Sequence, residues 1–284
     1  MTIWWAAMVA IGAVNFLAAG YIVCKSLKWN KAEPESAKIF SLLRVCVMVF
    51  VSVAMYRTVF VSSYPDRMVW FDSMFNSPFV IRCLATFAEL SAVTIVAAAL
   101  RKLHKEYDLA GTMKRKKTGA LFARAPLISV ACIFTAQFFA FTGLITQYVW
   151  PFAIEELLWA VAFICFVPLV LLGLGQIKSG GITKKNQTVF LRIMALWCVG
   201  YLAFQIFYAL PFMYFLEIAR DMGKAVPADA LRTAIFGYTV KRGFQDWGGI
   251  GFIIWHSAYF SITTWIYLLA FMAARERSGG KFLN

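Results

Sequence analysis

The sequence predicts an all-α fold: a polytopic bundle of about seven transmembrane helices, with the N-terminus outside and the C-terminus inside. Three observations predict it. Of the 284 residues, 61% are hydrophobic and 15% charged, and mean hydropathy is +0.71, well above the roughly 45–50% apolar usage of soluble domains. Apolar runs of about 20 residues recur, each long enough at about 1.5 Å per residue to cross a hydrocarbon core of roughly 30 Å. The basic residues between those runs fall mostly on alternate connectors, the pattern expected when Lys and Arg stay on the side that is not translocated.

Inside lipid the backbone must satisfy its own hydrogen bonds, which leaves helices or closed barrels. Barrel strands alternate apolar and polar residues over about ten positions; these runs are continuous, so they are helices. They cover residues 2–24, 39–61, 78–100, 125–147, 150–175, 188–216 and 248–273. The first begins at once, without a basic n-region or a small-residue cleavage site, and is expected to be a helix, not a removed signal. The second carries Arg44 and Arg57, the third Arg82 and Glu89. The fourth and fifth are separated only by Tyr148-Val149-Trp150-Pro151. A proline near a helix start is tolerated because its missing N–H would be unpaired there, so a break here is favoured over one span of fifty residues. The sixth and seventh complete the set. With no Gly/Ser- or Pro-rich linker and no internal repeat, residues 1–284 form one integral membrane domain.

Charge supplies an independent check on that count. With seven spans, the inner segments 25–38, 101–124, 176–187 and 274–284 hold eighteen Lys and Arg against five acidic residues, while the outer loops 62–77 and 217–247 hold six of each. Six spans would place the basic 101–124 and 176–187 loops on opposite faces. The net charge of +14 therefore points to topology and not to nucleic acid. Within it, Lys114, Arg115, Lys116 and Lys117 are expected to touch anionic lipid headgroups, at about 1 kcal/mol per cation near the surface.

The outer segments carry patterns of their own. Residues 62–77 mix aromatics with acids and are expected in the headgroup layer. Around Ala228 to Tyr238 an amphipathic helix is expected, with Leu231, Ile235 and Phe236 apolar and Asp229 and Arg232 polar, covering the outer mouth of the bundle or serving as an interfacial connector. Trp4, Trp5, Trp29, Trp70, Trp150 and Trp247 fall near span ends, as an interfacial aromatic belt would. Cys24, Cys46, Cys83, Cys132, Cys165 and Cys198 lie in or at the end of spans without a CxxC pair and are packing residues.

Ionisable groups inside spans are costly and direct the search for function. Arg44, Arg57, Arg82 and Arg192 lie within about two turns of a span end, where a long side chain can snorkel to the interface. Glu89 cannot, because it lies near the middle of the third span and its side chain is short. Arg82, Thr86 and Glu89 share a helix face, but seven residues span roughly 10 Å, so each charge is expected to meet another helix and not its neighbour. At similar depth the topology offers Arg57, Glu155, Glu156, Gln205 and His256. Arg57, Arg82, Glu89, Glu155, Glu156, Gln205 and His256 thus form a candidate buried polar cluster, either a structural lock that fixes helix register or a site. Glu155 and Glu156 sit about 100° apart on a helix, so one faces the bundle and the other a neighbour.

Several chemistries are excluded by residue type. A metal site assembles three or four His, Cys or carboxylate ligands, and with two histidines, His104 and His256, the chain is a poor match to the seven-helix zinc hydrolases with several membrane-side histidines and to haem bundles ligated by paired histidines. The last span has no lysine for a retinal Schiff base. No phosphate-binding glycine loop, HExxH pair or Gly-x-Ser-x-Gly elbow occurs, and the Asp-Arg-Tyr and Asn-Pro-x-x-Tyr ends of G-protein-coupled receptors are missing. No metal, haem, retinal or other cofactor is expected; bound lipids are.

The stretch from Phe71 to Ser77, followed by Arg82, Ala85-Thr86 and Ala88-Glu89-Leu90, resembles a poorly characterised family of polytopic membrane proteins patterned D-x-W-x-S, then arginine, then A-T-x-A-E-L. Met74 or Phe75 stands near the family's tryptophan, and Glu155-Glu156-Leu157-Leu158-Trp159 is similar to a later part, so the resemblance covers helices two to five. It implies a shared bundle and carries no activity. The leading expectation is a non-catalytic accessory or scaffolding subunit of a larger membrane assembly, with other membrane subunits and lipids as partners. A carrier or channel for a polar solute or proton is the alternative, and a lipid-modifying enzyme the third. A bacterial inner membrane, a mitochondrial inner membrane or another membrane would each suit the charge pattern.

Overall fold

In the computed structural model, residues 3–27, 34–64, 66–109 and 116–275 are described. The helices are α1 (Ile3–Ser26), α2 (Pro34–Val59), α3 (Pro78–Tyr107), α4 (Lys116–Thr146), α5 (Val149–Lys178), α6 (Lys185–Phe204), the short α7 (Ala230–Phe236) and α8 (Gly249–Arg275). Seven segments among the described residues are long and apolar enough to cross a membrane, the sixth running from Lys185 to Phe215. The protein is therefore an all-α, multi-spanning membrane bundle.

Consecutive long helices pack as neighbours with opposite directions. At one end Trp5 of α1 donates from Nε1 to the Val59 carbonyl of α2 at 3.1 Å. At the other, Arg44 of α2 donates to the Ser26 hydroxyl and carbonyl at the end of α1. Arg44 does not snorkel: it is buried, and it satisfies a C-terminal carbonyl left without an intrahelical partner. Arg192 is exposed.

α3 is the central helix, packed against α2, α4, α5 and α8. Its buried face is rich in alanine, including Ala85, Ala88, Ala92 and Ala99. Lipid gives helices no hydrophobic drive to associate, so small residues that allow close van der Waals approach decide the packing. The α4–α5 hairpin follows the same rule. A Cβ on Gly143 would lie 2.8–2.9 Å from the Phe152 ring, and Ser129 Oγ donates to the Ala162 carbonyl at 2.8 Å.

The break between α4 and α5 falls at Gln147, which takes a left-handed φ of 59°, four residues before Pro151. Asp221, from the distant loop after α6, accepts from the Val149 and Trp150 N–H groups at 2.7 and 3.0 Å. A carboxylate at a helix N-terminus satisfies unpaired donors and meets the positive end of the dipole. Asp221→Ala is expected to cost about 1 kcal/mol, and Asp221→Asn less, because it keeps the acceptor. Thermal melts of the two variants in one detergent check this, and equal losses would assign the effect to something other than the cap.

The two longer loops meet at one end of the bundle. Strand β1 (Ser62–Ser63) pairs antiparallel with β2 (Met68–Val69), and β2 pairs in parallel with β3 (Thr239–Val240). Behind this small sheet Trp5, Met8, Val61, Trp70 and Trp247 form a second core, in which the Trp5 and Trp70 rings stack at 6.2 Å. Three tryptophans expected in an interfacial belt are thus buried against protein; Trp150 remains exposed, and Trp29 lies outside the described residues. Helix α7 also differs from expectation. It buries Ala230 and Ala234 against α3 and α4, whereas Leu231 and Phe236 are exposed. Close approach selects the small face, and the bulky apolar residues face outward. Of the basic run, Lys114 and Arg115 lie outside the described residues, and Lys116 and Lys117 open α4.

Past Phe204, α6 continues to Phe215 as a π-helix that contains Pro211. Proline has no N–H to give to an α-helical ladder and its ring crowds the carbonyl four residues back. The wider turn accommodates it, and the Leu216 N–H reaches the Pro211 carbonyl five residues earlier. Such turns interrupt α-helices at functional sites, and this one begins at Gln205.

Candidate functional site: a polar-ended cavity within the bundle

Arg82, four residues into α3, is only 3% exposed. Its guanidinium bonds Glu89 at 2.8 Å and Glu155 of α5 at 3.2 Å, and it also donates to Gln137 of α4. Gln137 in turn donates to Glu89 at 3.0 Å and to the Ile133 carbonyl. One guanidinium thus joins three helices. A buried cation demands several acceptors, and a planar fork can serve more than one carboxylate.

The direct Arg82–Glu89 contact corrects the expectation that two turns are too far apart to bridge. Side chains on a helix tilt toward its N-terminus, so Glu89 leans back toward Arg82, and the long arginine stem covers the remaining distance.

Glu156 faces the other way, toward α6, where it accepts from Tyr201 at 3.3 Å and from Gln205 Nε2. The adjacent glutamates thus divide between two neighbours, as their angular separation requires. Gln205 is 1% exposed, and Nε2 also reaches the Tyr201 hydroxyl at 2.8 Å. Its other polar atom, Oε1, has no hydrogen-bond partner.

Arg57, in the last turn of α2, lies over the rings of Tyr64 and Phe260 at 5.5 and 5.1 Å. Tyr64 comes from the loop after α2, and Arg82 also approaches its ring, at 5.7 Å. Two cations close to one aromatic ring gain from its quadrupole. Burial pushes the Tyr64 phenol above its ordinary value, against the opposing pull of Arg57 and Arg82, so the hydroxyl stays a neutral donor; it has no hydrogen-bond partner.

These groups stand along one wall of a cavity of about 1090 Å³. Arg57, Tyr64, Arg82, Glu89, Glu155, Glu156, Tyr201, Gln205, Tyr214 and Tyr259 all line it. Beyond them the lining turns mostly apolar along α6 and α8, from Ile193 through Leu196 and Trp197 on one side and from Ile262 through Ile266 to Met272 on the other, with Thr263 and Tyr267 the polar side chains of that stretch. Ile262 and Met272 are ten residues apart, about 15 Å along a helix. Leu196 is 75% exposed, and Phe204, Ile262 and Trp265 are exposed beside it. These residues occupy the hydrocarbon-spanning parts of α6 and α8, so the cavity opens sideways, between two helices, onto the surface that faces lipid.

His256 is not among the lining residues. Its buried ring packs between Phe252 and Phe260 on α8. Gln137 and the tyrosines were not singled out by sequence. Gln137 alone carried a usable signal, an amide in the middle of an apolar span; the tyrosines look like interface or packing residues until the helices are assembled. Among the described residues, no group of three or more His, Cys, Asp or Glu is placed to hold a metal ion. No protein-family model, curated protein or solved structure matches the chain.

Proposed function

We propose that this multi-spanning membrane protein binds a long-chain amphiphile drawn from the bilayer, with the polar head against the α3–α5–α6 charge cluster and the chain along the α6–α8 opening. The observation that carries this is the shape and chemistry of the cavity: charged at one end, mostly apolar for about 15 Å beyond it, and open laterally to the lipid-facing surface. Sites that take small ligands combine an apolar lining with a few placed polar groups. The apolar length is comparable with one leaflet of a roughly 30 Å hydrocarbon core. The loop-rich end, which the charge bias puts outside, is nearest the polar wall, so the ligand comes from the outer leaflet.

A phospholipid carrying a photoreactive diazirine near its chain end, in nanodiscs, tests the proposal. Crosslinks should concentrate on peptides covering residues 193–204 and 262–272. Even labelling of other exposed apolar positions, such as Leu17 on α1 and Ile164 on α5, would remove it. Service as an accessory subunit relies on the lipid-facing surface and draws no support from the cavity; stoichiometric partners retained through mild-detergent purification would favour that role instead. A carrier of charged solutes needs charged or strongly polar groups along the whole path, whereas here the charged ones gather at one end.

A further inference from the structure

Among the described residues, two charged side chains on the cavity wall have no opposite charge at ion-pair distance. Arg82 is matched by Glu89 and Glu155, but among the described residues Glu156 is held by the neutral donors Tyr201, Tyr214 and Gln205, and Arg57 by aromatic rings. Beside each waits a buried polar atom of matching kind. The Tyr64 hydroxyl, next to Arg57, has no partner to donate to, and Gln205 Oε1, next to Glu156, accepts from nothing. The amide orientation is fixed by charge: reversing it would set its carbonyl oxygen against the Glu156 carboxylate. The wall therefore presents a cation with a free donor at one place and an anion with a free acceptor at another.

We infer that the cavity takes a zwitterionic headgroup with a primary ammonium, its anionic group on Arg57 and the Tyr64 hydroxyl and its ammonium on Glu156 and Gln205 Oε1. The inference rests on the proposal that an amphiphile occupies the cavity. A purely anionic head would serve Arg57 but leave Glu156 buried without a cation, on a wall that already carries three glutamates against two arginines. Buried charges left unpaired are the most costly outcome available to the site. A quaternary ammonium would supply charge but no N–H. A primary ammonium brings three donors, which the two waiting acceptors can use.

Native mass spectrometry of the detergent-solubilised full chain, titrated with phosphatidylethanolamine, phosphatidylcholine and phosphatidylglycerol of identical acyl chains, tests this. Phosphatidylethanolamine should be retained at least about tenfold better than either other lipid, the scale of losing one partner of a buried charge pair. In Glu156→Gln the preference over phosphatidylcholine should vanish, and Arg57→Gln should weaken both zwitterionic lipids together. Comparable retention of phosphatidylglycerol by the unmodified protein, a measurement that needs no variant to fold, would overturn the head assignment while leaving the lipid site standing. Retention of no lipid would instead remove the lipid site itself. Soluble phosphoethanolamine, lacking a chain, should fail to displace the bound lipid at equal concentration; displacement would make the ligand a free headgroup compound and overturn the lipid source.

Discussion

Arg82→Met should destabilise the folded protein by about 3–5 kcal/mol, the cost of removing one partner from a buried ion pair. The substitution keeps most of the stem volume but leaves Glu89 with the Gln137 amide as its donor and takes from Glu155 the guanidinium it bonds. Arg82 is 3% exposed, so solvent cannot take over the role of the guanidinium. Unfolding in detergent, followed by loss of helical signal, gives the magnitude. Removing the stranded charges should recover most of it, because an ion pair replaced as a whole by neutral groups is often neutral in effect. The triple variant Arg82→Met, Glu89→Gln, Glu155→Gln should accordingly melt close to the unmodified protein. If it melts as low as the single variant, packing of the arginine stem, and not its charge, holds the three helices together.

Gly200→Trp should lower retention of a bound phospholipid at least tenfold, about 1.4 kcal/mol in binding, with little effect on the fold. Gly200 lines the lateral opening on α6, and a Cβ there meets nothing within 4 Å. An indole at this position projects from the cavity lining, where it is expected to obstruct the gap between α6 and α8. Gly20 of α1, where a Cβ also meets open space, supplies the matched control, since Gly20→Trp adds the same bulk away from the cavity. Equal lipid retention in the two tryptophan variants would show that the opening is not the route of access. Gly200→Ala should raise stability by about 0.5–1 kcal/mol, because glycine loses more backbone freedom in a helix than alanine does; a thermal melt reads this directly.

Hydropathy located the seven spans but not the helix ends. The third span was expected to stop at residue 100 and the fourth to start at 125, whereas α3 runs to Tyr107 and α4 begins at Lys116. A hydropathy run ends where the side chains become polar, while a helix continues for as long as its own backbone bonds are made, and polar residues outside the bilayer do not break them. The Pro151 break was legible because proline acts through its own ring and missing N–H. Asp221, which caps the helix behind that break, was not, because seventy-two residues separate it from Val149.

The same division runs through the candidate site. Ionisable residues in apolar spans announce themselves by their cost, and this singled out Arg82, Glu89, Glu155 and Glu156 before any packing was known. Which of them meet was a different matter. The Arg82–Glu89 bridge depends on how side chains lean along α3, the placement of His256 away from the cavity on the rotation of α8, and the burial of Trp5, Trp70 and Trp247 on two loops sharing a sheet.

Composition and the order of apolar runs were enough to determine that this chain is an α-helical membrane bundle, because the transfer of side chains and unpaired backbone groups into hydrocarbon is a local property, additive along the sequence. The cavity, its sideways opening and the two unmatched charges on its wall were decided only by tertiary structure. Each depends on the separation and rotation of helices far apart in the chain, and close packing of small side chains sets those quantities without leaving a periodic trace in the sequence.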